Sequence, residues 1–140
     1  MATYKLGELD KWIKKAKARA RAAARMAVEN TANEANTSRN SGGRLPWDTG
    51  FLFRSMGGHI GSMPTGDTMG VKGVEYAEVN DSVSAAAARW DPFSGKAFYV
   101  GWTAAYARPM EYRYGFMRGA AENWDMQVER AAKTAKQRIK

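Results

Sequence analysis

The sequence predicts an α+β fold, with long N-terminal and C-terminal helices packed on a small antiparallel β-sheet. Three observations lead there. Apolar residues recur every three or four positions near both ends of the chain. Aromatic residues and short alternating runs gather in the middle, up to Trp102. Clusters of Gly, Pro, Ser and Asn separate these regions. A length of 140 residues suggests one domain spanning 1–140, and the chain shows no internal repeat.

Residues 8–36 read as one basic helix. Leu9, Trp12, Ile13, Ala16, Ala20, Ala23, Ala24 and Ala27 form a stripe that is bulky only at its start. Small side chains admit a close neighbour but bury little area each, so the helix is expected to lean on a neighbouring subunit. Residues 37–66 read as loop-rich. Asn36 to Gly43 is expected to move, and Asp48 is expected to cap a short helix over 49–56. Gly57, Gly58, Gly61 and Gly66 mark a second flexible stretch. Residues 69–102 read as strands, with Ser82–Arg89 and Lys96–Trp102 joined as a hairpin across Asp91–Gly95. Residues 103–112 are read as a short helix or irregular. A C-terminal helix is expected over 116–139, with Met117, Ala120, Ala121, Trp124, Val128, Ala131, Ala135 and Ile139 on its apolar face.

The formal charge of +8 is unevenly spread. Residues 1–44 carry +6, residues 45–110 carry −1 and residues 111–140 carry +3. Lys11, Lys14, Lys15, Lys17, Arg19, Arg21 and Arg25 follow one another with no acid between them. Like charges four apart repel by a few tenths of a kcal/mol per pair, so these residues are candidates to face DNA or another anionic partner. The alternative is a solvated helix face. The run also has the Ala/Arg character of a transit peptide, but Glu8, Asp10 and Glu29 flank it and the periodicity continues beyond it.

Catalysis is not expected. There is no cysteine to act as nucleophile or thiolate ligand, and His59 is the single histidine. Asp48-Thr49-Gly50 has the letters of an aspartic protease motif but no second copy, so its reading is structural. Gly57-Gly58-His59-Ile60-Gly61 lacks the Lys-Ser/Thr ending of a phosphate loop. His59, with no orienting partner in sequence, reads as a surface residue. Trp102, Tyr106, Tyr112, Tyr114 and Phe116 could stack on bases or anchor a protein interface. Core or interface is the reading adopted, with Trp102 and Phe116 inside and Tyr112 and Tyr114 partly exposed. No cofactor, metal or membrane span is expected.

Two separated motifs remain. One runs Pro46-Trp47-Asp48-Thr49-Gly50-Phe51-Leu52-Phe53-Arg54-Ser55. The other comprises Gly101-Trp102, Tyr106-Ala107 and Glu111-Tyr112-Arg113-Tyr114-Gly115-Phe116. In this order, between two helical ends, they resemble the tail-completion (neck) proteins of long-tailed bacteriophages. The matching positions are Asp48, Thr49, Gly50, Leu52 and Ser55, then Gly101, Trp102, Tyr106, Ala107, Glu111, Tyr112, Gly115 and Phe116. Arg113 and Tyr114 depart from the family pattern, and Met56–Val79 matches none of it. The resemblance implies a virion protein assembled in the host cytoplasm and placed at the head–tail junction. There it would form a ring, of six subunits, between head-closure or adaptor proteins and the tail terminator or tail-tube protein. Double-stranded DNA would pass through without being read, across a moderately basic lumen. Candidate subunit or partner contacts are Trp47, Asp48, Thr49, Gly50, Leu52, Ser55, Trp102, Tyr106, Glu111, Tyr112, Tyr114 and Phe116. The alternatives are a tail terminator capping the tail tube, or a DNA-binding protein without sequence preference.

Overall fold

The computed structural model describes residues 5–140. Its first helix, α1, runs Leu6–Ala35, close to the expected span. Alanine, lysine and arginine favour the helix throughout. A short turn at Arg39–Ser41 leads to α2 (Phe51–Arg54) and then β1 (Met56–Ile60). An irregular stretch follows, then α3 (Ser82–Arg89), a turn at Pro92–Ser94 and β2 (Phe98–Trp102). Three helices close the chain: α4 (Ala107–Tyr114), α5 (Phe116–Ala121) and α6 (Trp124–Arg138).

The fold is α+β, with the terminal helices and a small antiparallel sheet as expected. The strand assignments differ. Ser82–Arg89 is a helix because four of its eight residues are alanines, which favour helix over strand. Its buried residues Val83, Ala86 and Ala87 follow helical spacing. Residues 71–79 contain no strand. The partner of β2 is the glycine stretch read as flexible, with Gly58 opposite Val100. Those glycines serve close approach. A Cβ on Gly58 would lie 2.8 Å from the Phe98 ring and 3.0 Å from the Val83 backbone, and one on Gly101 would lie 2.8 Å from Met63. A side chain at Gly58 would push α3 off the sheet, and one at Gly101 would displace the end of Met63.

The C-terminal helix is broken in two at Glu122–Asn123. Asn123 there donates its side-chain amide to Glu34 of α1 at 2.6 Å. The helix α1 lies against α6, and also meets α5 and α3. Its buried side chains are Ala27, Ala32 and Ala35, and those of α6 are Ala131 and Ala135. Of the stripe named from the sequence, Ala27 is buried, Ala23 and Ala24 are half-buried, and Ala16 and Ala20 are exposed, so packing within the chain covers only its later turns. The bulky start of the stripe remains outside: Leu6, Leu9, Trp12 and Ile13 are all exposed.

The loop after α1 is anchored, not free. Asn36 is 3% exposed. Its amide donates to the Phe53 carbonyl at 3.1 Å, and its side-chain oxygen accepts from the Trp102 indole at 3.0 Å. Ser38 is buried and bridges to Leu45. Leu45, Phe51, Leu52, Ala104 and Phe116 form one core cluster, and Ala32, Met56 and Val83 a second. Trp102 packs against both.

Replacing Asn36 by alanine leaves the Trp102 indole N–H without its partner and empties a buried polar site, while the Phe53 carbonyl keeps the Asn80 amide. The expected cost is about 3 kcal/mol in urea unfolding, against less than about 0.5 kcal/mol for Asn33→Ala on the exposed side of α1.

Candidate functional site

The structure brings the two motifs together. The N–H of Thr103 donates to the Ser55 carbonyl at 3.1 Å. The Phe51 ring meets Tyr106 at 6.4 Å and Tyr76 at 5.5 Å. Trp102 meets Phe116 edge-on at 5.0 Å, a geometry that adds to the burial of both rings. Leu52, Ser55 and Phe116 are buried, and the Ser55 hydroxyl donates to the Leu52 carbonyl at 2.8 Å. These residues, expected as contacts with other subunits, are internal.

Asp48 does not cap α2. The residue at the helix start is Gly50, and no side chain caps it. The Thr49 hydroxyl instead accepts from the Phe51 N–H at 3.3 Å, while the Thr49 carbonyl accepts from Tyr76 at 2.7 Å. Asp48 is left exposed. Gly50 is required by its left-handed φ of 87° and by space. A Cβ there would lie 2.5 Å from the Trp47 ring and 2.8 Å from the Tyr76 carbonyl. Trp47, half-buried, packs against Phe53 at 5.5 Å.

Glu111 has a role that the sequence reading did not assign. Its two carboxylate oxygens accept from the Met117 and Arg118 N–H groups at 2.7 and 2.9 Å, capping α5 from α4. Gly115, with φ of 63°, makes the turn between them. The guanidinium groups of Arg39 and Arg113 both lie near the Tyr114 ring, at 4.9 and 5.6 Å from its centre. Tyr112 is 91% exposed and is the one aromatic of this motif wholly available to a partner. Burial pushes the Tyr106 phenol above its usual pKa, partly offset by the hydrogen bond with the Leu52 backbone.

The basic run divides in two. Arg19 donates to the Ile139 carbonyl at 2.6 Å and Arg25 to the Trp90 carbonyl at 2.7 Å. Arg21 pairs with Asp91 at 3.0 Å and lies over the Phe93 ring, as does Lys17. The Phe93 N–H and Arg21 together hold the Asp91 carboxyl below its ordinary pKa. These four side chains fasten α1 to its own chain. Lys11, Lys14 and Lys15 are exposed and take part in no hydrogen bond or ion pair among the described residues.

Asn36, Asn80 and Tyr76 escaped the sequence reading. The Asn80 amide donates to the Phe53 and Met56 carbonyls at 2.9 Å each, and its oxygen accepts from the Ser82 N–H at 3.1 Å. An Asn at the foot of a periodic helix or just before an Ala run was the available signal. Two grooves flank the assembled motif. One, of about 560 Å³, lies between Trp47–Thr49, Val71 and Tyr106. The other, of about 640 Å³, lies between Pro64–Asp67 and Val79–Asp81. Among the described residues, no group of His, Cys, Asp or Glu is placed to hold a metal ion. His59 is exposed on β1, with only the Ser62 hydroxyl at 3.1 Å. No known protein family, curated protein or solved structure matches the chain.

The Gly50→Ala substitution is expected to cost more than about 3 kcal/mol by combining φ strain with overlap. Gly42→Ala, with similar φ but open space around it, is expected to cost about 1 kcal/mol in the same thermal or urea unfolding series. For DNA, three free lysines on α1 give a log K against log salt slope near −3 in duplex anisotropy titrations. Engagement of all seven basic residues would give a slope near −6.

Proposed function

We propose that this protein is a structural subunit of a bacteriophage neck: a tail-completion protein at the head–tail junction, acting as one copy in a ring around the DNA path. The observation that carries the reading is the interlocking of its two motifs. Residues 46–55 and 101–116, far apart in sequence, build one scaffold through the Ser55–Thr103 hydrogen bond and the Phe51–Tyr106 and Trp102–Phe116 contacts. Apart from the exposed Asp48 and Tyr112, the named side chains serve packing, capping and turn formation. Such a body works through its surfaces.

The division of the basic run supports a limited role for DNA. With Lys17, Arg19, Arg21 and Arg25 fastened to the chain itself, the charge left for phosphates is modest. Contacts of that kind are independent of base sequence and weaken with salt. They suit a passage through which DNA must slide. Head-closure or adaptor proteins on one side, and a tail terminator or tail-tube protein on the other, are the partners this reading assigns.

The test is cryo-electron microscopy of particles from the source of this chain, paired with deletion of its gene. The expected outcome is ring density at the head–tail junction, and filled heads accumulating beside free tails in the deletion. Joined, infectious particles lacking the chain would sink the reading.

A further inference from the structure

The two edges of the small sheet differ. Along the ladder, Gly61 donates to the Ala97 carbonyl at 2.8 Å and Thr103 to the Ser55 carbonyl at 3.1 Å. With Gly58 opposite Val100, this phase makes the odd-numbered residues the hydrogen-bonded pairs. The main-chain groups of Met56, Gly58 and Ile60 then point outward from β1, and those of Phe98, Val100 and Trp102 outward from β2. The β1 side is covered. There the Met56 carbonyl accepts from the Asn80 amide at 2.9 Å, and the Gly58 N–H donates to the Ser82 hydroxyl at 3.4 Å. The β2 side is open. No further strand pairs with β2, and the outward N–H and C=O groups of Phe98 and Val100 have no partner among the described residues. Exposed edges are commonly blunted by charge, proline or a bulge. The run Phe98-Tyr99-Val100-Gly101-Trp102 has no charge and no proline, and its register with β1 is unbroken.

Two apolar grooves flank this edge. The first, of about 260 Å³, lies on the face where Phe98, Val100 and Trp102 pack towards α1. Its far wall is Met117 and Ala121 of α5 and Trp124 of α6. Thr31, whose hydroxyl oxygen is buried without a hydrogen-bond partner, is part of its lining. The second, of about 250 Å³, lies on the opposite face, where Met63 covers Gly101. Val100, Trp102 and Met117 border both.

These features select the occupant. No charged residue lines the first groove, so a phosphate finds nothing to hold it there. Both volumes fall below the roughly 300–1,000 Å³ usual for a small-molecule site. A helix has its main-chain groups paired internally and brings none to the edge. The wall of α5 and α6 stands in the way of a second folded sheet, whereas a single strand needs only one inter-strand spacing, about 4.8 Å. A second copy has the same wall beside its own β2 and a covered β1.

We propose that the β2 edge is a strand-addition site for an extended segment of a different protein. The segment pairs through its main chain with Phe98 and Val100. Its successive side chains point to opposite faces, so apolar residues enter the two grooves in turn. A hydroxyl or amide on the α1 side would satisfy Thr31. The site is argued without the neck reading and is tested apart from it.

The probe is a phage-displayed library of random peptides, long enough to cover the five residues of β2, selected on the full chain. Enriched peptides are expected to be apolar and β-prone, without internal proline. In the free chain, the Phe98 and Val100 amides are expected to exchange with solvent faster than those of Tyr99 and Gly101. A selected peptide, added as the synthetic form, is expected to slow both at least about tenfold. Val100→Pro removes an outward N–H and leaves the ladder bonds of its neighbours in place. Ala121→Phe narrows the first groove and leaves the edge untouched. Circular dichroism checks the folding of each, and Ala121→Phe decides alone where Val100→Pro does not fold. Each folded variant is expected to bind the peptide at least about tenfold more weakly. The proposal is overturned by a library that yields no binder, or by a binder that leaves both amides unchanged. Variants that bind like the wild type overturn it as well. Wild-type oligomers in sedimentation velocity that the variants dissolve would make a second copy the donor of the strand, and would overturn the assignment to a different protein. None of these outcomes alters what is seen at the head–tail junction.

Discussion

The fold turns on one buried amide. Asn36 ends the first helix and reaches two distant parts of the chain at once: the Phe53 carbonyl and the Trp102 indole. A buried polar group must find its partners or cost the fold their full desolvation. That requirement fixes the direction of α1 relative to the sheet and to α2. Trp102, held by its N–H, then packs against both core clusters. Asn80 repeats the arrangement from the other side, holding the Phe53 and Met56 carbonyls. Without these two amides, the two motifs would have apolar reasons to meet but no single geometry in which to do so.

The terminal helices were legible because periodicity is a local property and their apolar faces persist over many turns. The short elements were not. Ser82–Arg89 alternates on paper, but its alanines favour helix, and Asn80 accepting from the Ser82 N–H and Val83 lying over Gly58 fix where that helix starts and which face it buries. Met56–Ile60 was misread because glycine marks flexibility and close packing equally well in a sequence. Only the neighbouring Phe98 and Val83 distinguish them. The break at Asn123 depends on Glu34, 89 positions away.

The same limit applies to function. Charge counting found the basic run but could not divide it. The division comes from Asp91, Phe93 and two backbone carbonyls that reach α1 from elsewhere. Several of the motif residues named as contacts are placed inside the chain, which gives them structural work to do. Glu111 holds a helix start, Gly50 admits Trp47, and Ser55 joins the strand-side chain to α2. The exposed parts are the start of α1, Tyr112 and much of the irregular stretch before α3.

The glycine pairing within the sheet also bears on how such a chain can diverge. Gly58 faces a ring and a backbone that leave no room for a methyl group, and Gly101 faces the end of the Met63 side chain. A larger residue at position 58 requires the Phe98 ring to give way and α3 to shift from the Val83 backbone, whereas at position 101 the end of the Met63 side chain has only to swing aside. Residues 65–79 have few such restraints, so drift and insertion would concentrate there. Descendants of one ancestor would then share a nearly invariant hinge of small residues while presenting very different faces to their neighbours.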